Sequence, residues 1–162
     1  MEVKRIEFIL LHVYWIINLI KLKKIFIASD HGGFKLKKII ISFFKKDFFI
    51  KDLGPGQNKK SVDYPDFAHK LCKKVSKNKC NIGILVCGSG VGMSIAANKN
   101  KGIRAALCYS VKNAKLSRLH NDANVITLGE RLTKKNIALK CVKAFLNTNF
   151  EGGRHIKRIK KL

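Results

Sequence analysis

I-G-I-L-V-C at residues 82–87 constrains this chain more than any other segment. Its six residues carry no charge and run into C-G-S-G-V-G, a turn with glycines at 88, 90 and 92. A strand that is apolar throughout must be covered on both faces, as strands inside a parallel sheet flanked by helices are. The chain from Lys24 onward alternates to match. K-I-F-I-A-S (24–29) is a short β-rich run, followed by Leu36, Ile39, Ile40 and Phe43 at helical spacing. F-F-I-K-D-L (48–53) predicts a second strand, stopped by G-P-G, and Pro65 opens a helix with Phe67, Leu71 and Val75 on one face. After the third strand come a helix around 93–98 and a fourth strand, I-R-A-A-L-C (103–108). Ser110 then caps a helix over 111–120, N-V-I-T-L (124–128) is a fifth strand, and a helix from Thr133 turns Ile137, Cys141, Val142 and Phe145 inward. The expected fold class is α/β: a three-layer, Rossmann-like, doubly wound parallel sheet of about five strands.

Composition narrows the class further. At 162 residues there is room for one ordinary domain, and 46% apolar residues argue against wholesale disorder despite a formal charge of +24. Of the 34 basic residues 28 are Lys and six are Arg, scattered over nearly every segment instead of forming a stripe. Arg serves flat, bidentate recognition of phosphates and bases, whereas Lys is a solvated point charge. The expectation is a salt-sensitive, non-specific attraction for anions and no specific nucleic-acid partner. Five cysteines, at 72, 80, 87, 108 and 141, form no C-x-x-C pair, so neither a disulfide framework nor a zinc ribbon fits and a reducing, cytoplasmic compartment is the natural reading. Residues 1–22 stand apart. The mostly apolar run 6–20 is broken by Glu7, His12 and Asn18. It is shorter than the roughly 20 residues of a membrane span, and no small-residue cleavage site follows it. It reads as an extension outside a domain over 23–162, with membrane attachment not expected.

Ligands of doubly wound sheets bind at the carboxyl ends of strands, near the point where strand order reverses. The candidates are therefore Asp30, His31, Gly32 and Gly33 after the first strand and Cys87 to Gly92 after the third, with His120, Asn121 and Asp122 before the fifth and Gly129, Glu130 and Arg131 after it. The glycine turn is the most informative. Glycines at alternate positions let the backbone N–H groups of Gly88, Ser89, Gly90, Val91 and Gly92 face an anion, with a helix N-terminus behind them. No G-K-[ST] follows, the third glycine comes one residue early for a dinucleotide fingerprint, and no acidic residue stands about 20 positions on. A cradle for a small oxyanion or phosphate fits better than a nucleotide site. Cys87 sits at its mouth, where backbone donors and a helix N-terminus favour a reactive thiolate; a strand-end cysteine that simply packs is the competing reading. Arg154 and Arg158, spaced i,i+4 on one helix face, suit a phosphate monoester, against the alternative of a solvated basic terminus.

Taken in order, S-D-H-G-G-F-K-L-K (29–37), D-L-G (52–54), D-Y-P-D-F-A (63–68), G-I-L-V-C-G-S-G-V-G-M-S-I-A-A-N-K (83–99), G-I-R-A-A (102–106), L-S-R-L-H-N-D-A-N-V (116–125), G-E-R (129–131) and E-G-G-R-H-I-K-R (151–158) resemble one family. This is the ribose-5-phosphate isomerase B family, which includes the galactose-6-phosphate isomerase subunits. The resemblance implies an aldose–ketose isomerase that interconverts ribose 5-phosphate and ribulose 5-phosphate through an enediolate, with no metal or other cofactor. The alternative within the family is a galactose-6-phosphate or allose-6-phosphate isomerase. It implies a homodimer or homotetramer with active sites between subunits. By the same resemblance, His120 helps open the furanose ring with Asp30 close to the sugar oxygens, and Cys87 moves the proton between adjacent carbons. Amides of Gly88 to Gly92, with Asn121, stabilise the enediolate, and Ser89 relays a proton. Arg154, Arg158, His31 and Arg131 hold the phosphate, and Tyr64 lines the sugar pocket. One branch of the family carries a Glu base just after the glycine loop; Met93 stands there in this chain, which places it with the Cys type.

Overall fold

The structure, a computed structural model, describes residues 24–57 and 60–162. The extension expected over residues 1–22 lies outside the described residues. Five strands form one parallel sheet: β1 (Ile25–Ser29), β2 (Ile50–Asp52), β3 (Ile82–Cys87), β4 (Ala105–Leu107) and β5 (Val125–Gly129), in the order β2-β1-β3-β5-β4. The helices are α1 (Phe34–Phe44), entered through a 3-10 turn at His31–Gly33, α2 (Tyr64–Val75), α3 (Val91–Asn98), α4 (Val111–Asn121), α5 (Lys135–Asn147) and α6 (Arg154–Ile159). Among the described residues no helix is long and apolar enough to cross a membrane.

The pleat of the central strands explains why three layers form. Ile25 and Ile27, Ile82, Ile84 and Val86, and Ile126 and Leu128 face one core, filled by Leu36, Ile40 and Phe44 of α1, Ala114 of α4, and Cys141, Val142 and Phe145 of α5. The intervening Phe26, Ala28, Leu85 and Cys87 face a second core with Leu71 and Val75 of α2 and Met93 and Ala97 of α3. Successive side chains of a strand point to opposite faces, so an apolar residue at every position serves both cores.

The edge strands are shorter than the sequence predicts. β2 spans three residues, and Phe48 and Phe49 precede it in a turn closed by Phe48 N–H to the Phe44 carbonyl. β4 starts two residues late, because Ile103 N–H bonds Asn100 and Arg104 N–H bonds the Asn124 side chain. α5 begins at Lys135, with Thr133 N–H still tied to the Gly129 carbonyl. The basic C-terminal segment folds as α6.

One buried ion pair ties the β2 end of the sheet to the layer above it. Lys37 of α1 is wholly buried, with its Nζ 2.8 and 3.0 Å from the two Asp52 oxygens and 2.7 Å from the Pro55 carbonyl. Burial pulls the Lys37 pKa below its ordinary value, against the opposing influence of Asp52. The ammonium stays satisfied only while Asp52 and the loop after it hold their places. Removing one partner of a buried pair strands the other, whereas an apolar side chain of similar size in place of the lysine strands far less. Asp52→Ala is therefore expected to lower unfolding free energy by about 3 kcal/mol, the low end for a buried pair because Asp52 is 31% open to solvent. Lys37→Met is expected to cost about 1 kcal/mol, both read by urea denaturation at unchanged slope. Equal losses would overturn this account of the pair.

Candidate active site

The order of the sheet reverses between β1 and β3: the chain leaves β1 outward to β2 and then returns to the other side as β3. A cleft of about 310 Å³ opens at that point, lined by Asp30, His31, Gly32, Tyr64, Cys87, Gly88, Ser89, Gly92, Arg131 and Leu132. Its floor is the glycine turn. Gly90, at φ 82°, adopts a left-handed conformation that directs its N–H back at Cys87 Sγ, 3.0 Å away. Cys87 is 5% exposed, so this amide is aimed at a sulfur almost free of bulk water. That amide belongs to Gly90, the residue that opens α3. Val91 N–H bonds Ser89 Oγ at 3.3 Å, which leaves the Ser89 hydroxyl proton free to donate.

The walls are equally constrained. Asp30 Oδ1 accepts from Gly33 N–H at 2.9 Å and so caps the turn into α1. His31 Nδ1 accepts from Val62 N–H at 3.2 Å, which assigns the neutral ring its proton on Nε2. A Cβ on Gly92 would meet the Tyr64 ring at 2.8 Å, so only glycine lets that ring lie against the start of α3. The Arg131 guanidinium packs on Gly88, where a Cβ would sit 3.3 Å from Cζ. Glu130, singled out with Gly129 and Arg131, does not join the cleft: its Oε2 accepts from Leu36 N–H at 2.8 Å and caps α1.

The remaining predicted residues gather elsewhere. Crossover helices run back against the strands, so the C-terminal turn of α4, with His120 and Asn121, lies at the amino edge of the sheet. Cys87 pairs in register with Gly129, at the other end of β5. The four steps from Val125 to Gly129 alone span about 13 Å. Hence His120 and Asn121 do not reach the Cys87 cleft of their own chain. Arg154 and Arg158 belong with them, because α6 packs on α4: Glu151 N–H bonds the Leu119 carbonyl at 3.0 Å, and the His155 ring stacks on His120 with centroids 4.4 Å apart and planes 6° from parallel. Asp122, also among the candidates, is structural. Its carboxylate takes Arg104 and Arg118, each at 2.8 Å, and this holds its left-handed backbone (φ 43°) and the turn that carries His120.

Sequence reasoning gave Glu151 and His155 no role, although both lie in the E-G-G-R-H-I-K-R segment. His155 is buried, and its Nε2 has no hydrogen-bond partner. Burial, followed by His120, Arg154 and Arg158, holds its pKa below the usual imidazole range, against the pull of Glu151. The signal was the Gly152–Gly153 pair, both at positive φ, which folds this segment sharply back onto α4.

Three of the other four cysteines are buried and differ from Cys87, and the fourth, Cys80, is exposed outside the cleft. Burial pushes Cys72 and Cys108 up to about 12 and raises Cys141, so all three remain inert thiols. A larger cavity of about 880 Å³ runs along β4 and α4, lined largely by apolar groups with Arg104, Tyr109, Asn121 and Leu162. It lacks any side-chain thiol, carboxylate or imidazole among its lining residues, so the chemistry points to the smaller cleft.

Comparison with known proteins identifies the family. A family profile described as ribose/galactose isomerase matches residues 25–162. The crystal structure of ribose-5-phosphate isomerase B from Mycoplasma genitalium with bound ribulose-5-phosphate is 51% identical, superposes with a TM-score of 0.84, and covers 86% of this chain and 93% of its own. That of the ribose 5-phosphate isomerase from Thermotoga maritima is 46% identical with a TM-score of 0.83, covering 86% and 97%. The ribose-5-phosphate isomerase B of Escherichia coli is 40% identical over 142 residues, 87% of this chain and 95% of that protein. A profile spanning every described strand and helix, and relatives matched over nearly their whole length, establish that this chain belongs to the ribose/galactose isomerase family.

Proposed function

We propose that the chain interconverts ribose 5-phosphate and ribulose 5-phosphate, with Cys87 as the base and with each active site built from two copies of the chain. The observation that carries this reading is the Gly90 N–H aimed at a nearly buried Cys87 Sγ, inside a cleft that also presents Asp30, His31, Tyr64 and Arg131. Relatives whose names specify ribose 5-phosphate, and a neighbour solved with ribulose-5-phosphate, support the five-carbon sugar.

The chemistry follows from those positions. A ribose 5-phosphate furanose opens when the C1–O4 bond breaks: His120 of the partner subunit gives a proton to O4, and Asp30 takes the proton of the 1-hydroxyl. The Cys87 thiolate then removes the proton from C2, and the electron pair passes through the carbonyl to leave an enediolate. Ser89, its hydroxyl proton unengaged, passes a proton between O1 and O2. Amides of the glycine turn, with Asn121 of the partner subunit, carry the oxyanion. Cys87 returns its proton to C1, and the ketose forms. A positioned base supplies about 10²–10⁴ in rate, and each oxyanion donor about 2.7–4 kcal/mol. The phosphate rests on His31 and Arg131 together with Arg154 and Arg158 of the partner subunit, so binding energy remote from the reacting carbons orients them.

Assembly follows from the division of the site. One chain carries the Cys87 cleft on one edge of its sheet and the His120–Arg154–Arg158 cluster near the other, and a two-fold axis brings unlike halves together twice. Exposed apolar side chains accompany both halves: Val91 and Ile95 on α3 and Leu132, 72% exposed, beside the cleft, with Ile156 on α6 and the terminal Leu162 near the cluster. Homodimer and homotetramer both satisfy this pairing.

Cys87→Ala is expected to lower kcat about 100-fold or more while circular dichroism stays native. Wild-type turnover by that variant would refute the base assignment. Mixing it with the equally impaired His120→Asn is expected to restore about a quarter of wild-type activity, since half the dimers are then hybrid and one of their two sites is intact. No recovery after confirmed subunit exchange would place both residues in one chain's site. A substrate series of ribose 5-phosphate, allose 6-phosphate and galactose 6-phosphate at matched concentration is expected to give the highest kcat/KM for ribose 5-phosphate. Preference for a six-carbon sugar would select the alternative within the family.

A further inference from the structure

We infer that Glu151 and His155 are positioning residues for His120, serving the ring-opening step alone and not the proton transfer at Cys87. The inference rests on the role given to His120 under Proposed function. The His155 ring lies flat against His120, 4.4 Å between centroids and 6° between planes, and is itself 4% exposed. It therefore acts as a fixed plate that sets the plane of a ring whose side chain is 38% exposed. Glu151 Oε2 stands 3.7 Å from His120 Nε2, at ion-pair range when that ring is protonated. Both groups are anchored by backbone: Glu151 N–H to the Leu119 carbonyl and His155 N–H to the Gly152 carbonyl, across a turn in which Gly152 and Gly153 have φ of 76° and 54°.

The surroundings of the pair keep the buried ring neutral. On the α6 side are Glu151, Arg154 and Arg158; on α4 itself, Arg118 is already neutralised by Asp122. His155, buried and beside His120, Arg154 and Arg158, resists protonation, so it faces His120 as a neutral plate while Glu151 stands beside the more open ring. The unpaired, buried His155 Nε2 is the kind of unsatisfied polar atom that persists where function requires it. His120, Glu151 and His155 also form a cluster of metal-ligand type among the described residues. A lone pair lies in the plane of its ring, however, and two parallel stacked rings share no plane in which one ion meets both. The arrangement suits a proton better than a cation.

Ribulose 5-phosphate has no 5-hydroxyl free to close a furanose, so loss of deuterium from its C1 to water through the enediolate needs Cys87 and no ring opening. Net conversion of ribose 5-phosphate needs both. For Glu151→Gln and His155→Ala the inference expects ribose 5-phosphate turnover about 10-fold lower, a fraction of what a general acid contributes, with washout from [1-²H]ribulose 5-phosphate near wild type. His155→Phe, which keeps a flat ring and cannot ionise, is expected to recover most of the turnover. Glu151 is exposed, so its variant tests the idea without threatening the fold. Equal loss of both rates, or loss of neither, would overturn the inference. Cys87→Ala must abolish both and His120→Asn only the first; if those controls fail, it is the proposed mechanism that is wrong, not the positioning role.

Discussion

In a sheet of parallel strands every crossover helix runs home against the strands, and this constraint governs the whole molecule. It collects strand carboxyl ends on one edge and helix carboxyl ends on the other. The loops after β1 and β3 therefore meet as one cleft, while the final turn of α4 and the start of α6 meet as a separate cluster. The proposed reaction needs both groups, and a self-complementary pair of chains is the proposal's way of joining them. Leu132 and Val91 are exposed on the cleft side and Ile156 on the side of the cluster.

Within that frame, cations and donors are sharply divided between support and chemistry. Arg104 and Arg118 are bound to Asp122 and hold a turn in place, and Lys37 is bound to Asp52 and holds a loop. Glu130 and Asp30 cap the two successive turns that enter α1. Arg131, Arg154 and Arg158 hold no such partner among the described ion pairs, and the proposed function gives them the phosphate. The same economy separates the cysteines. Cys72, Cys108 and Cys141 are buried as ordinary apolar groups, whereas Cys87 alternates into a core and meets an amide at the mouth of a turn.

The five strands were legible because their apolar runs are dictated by burial on both faces, and the glycine turn was legible because left-handed backbone and close ring contact admit no other residue. The edge strands were read too long, since Phe48, Phe49, Ile103 and Arg104 have β-like character that local turn and side-chain hydrogen bonds override. Asp122 and Glu130 looked like candidate site residues from their neighbours in sequence, but each is consumed by partners 4 to 94 positions away. Glu151 and His155 give no such signal: the His155 ring stack and the Glu151 carboxylate both meet His120 across helices, a contact that no spacing along the chain encodes.

What the amino-acid sequence determined by itself was the layered α/β architecture, the amide cradle and the residue types able to move a proton, because burial, helical periodicity and glycine backbone act locally. What only the tertiary structure decided was grouping. Strand order set which loops share an edge, and the packing of α6 on α4 set which imidazole faces which. Both depend on long-range contacts whose partners a linear sequence leaves unspecified.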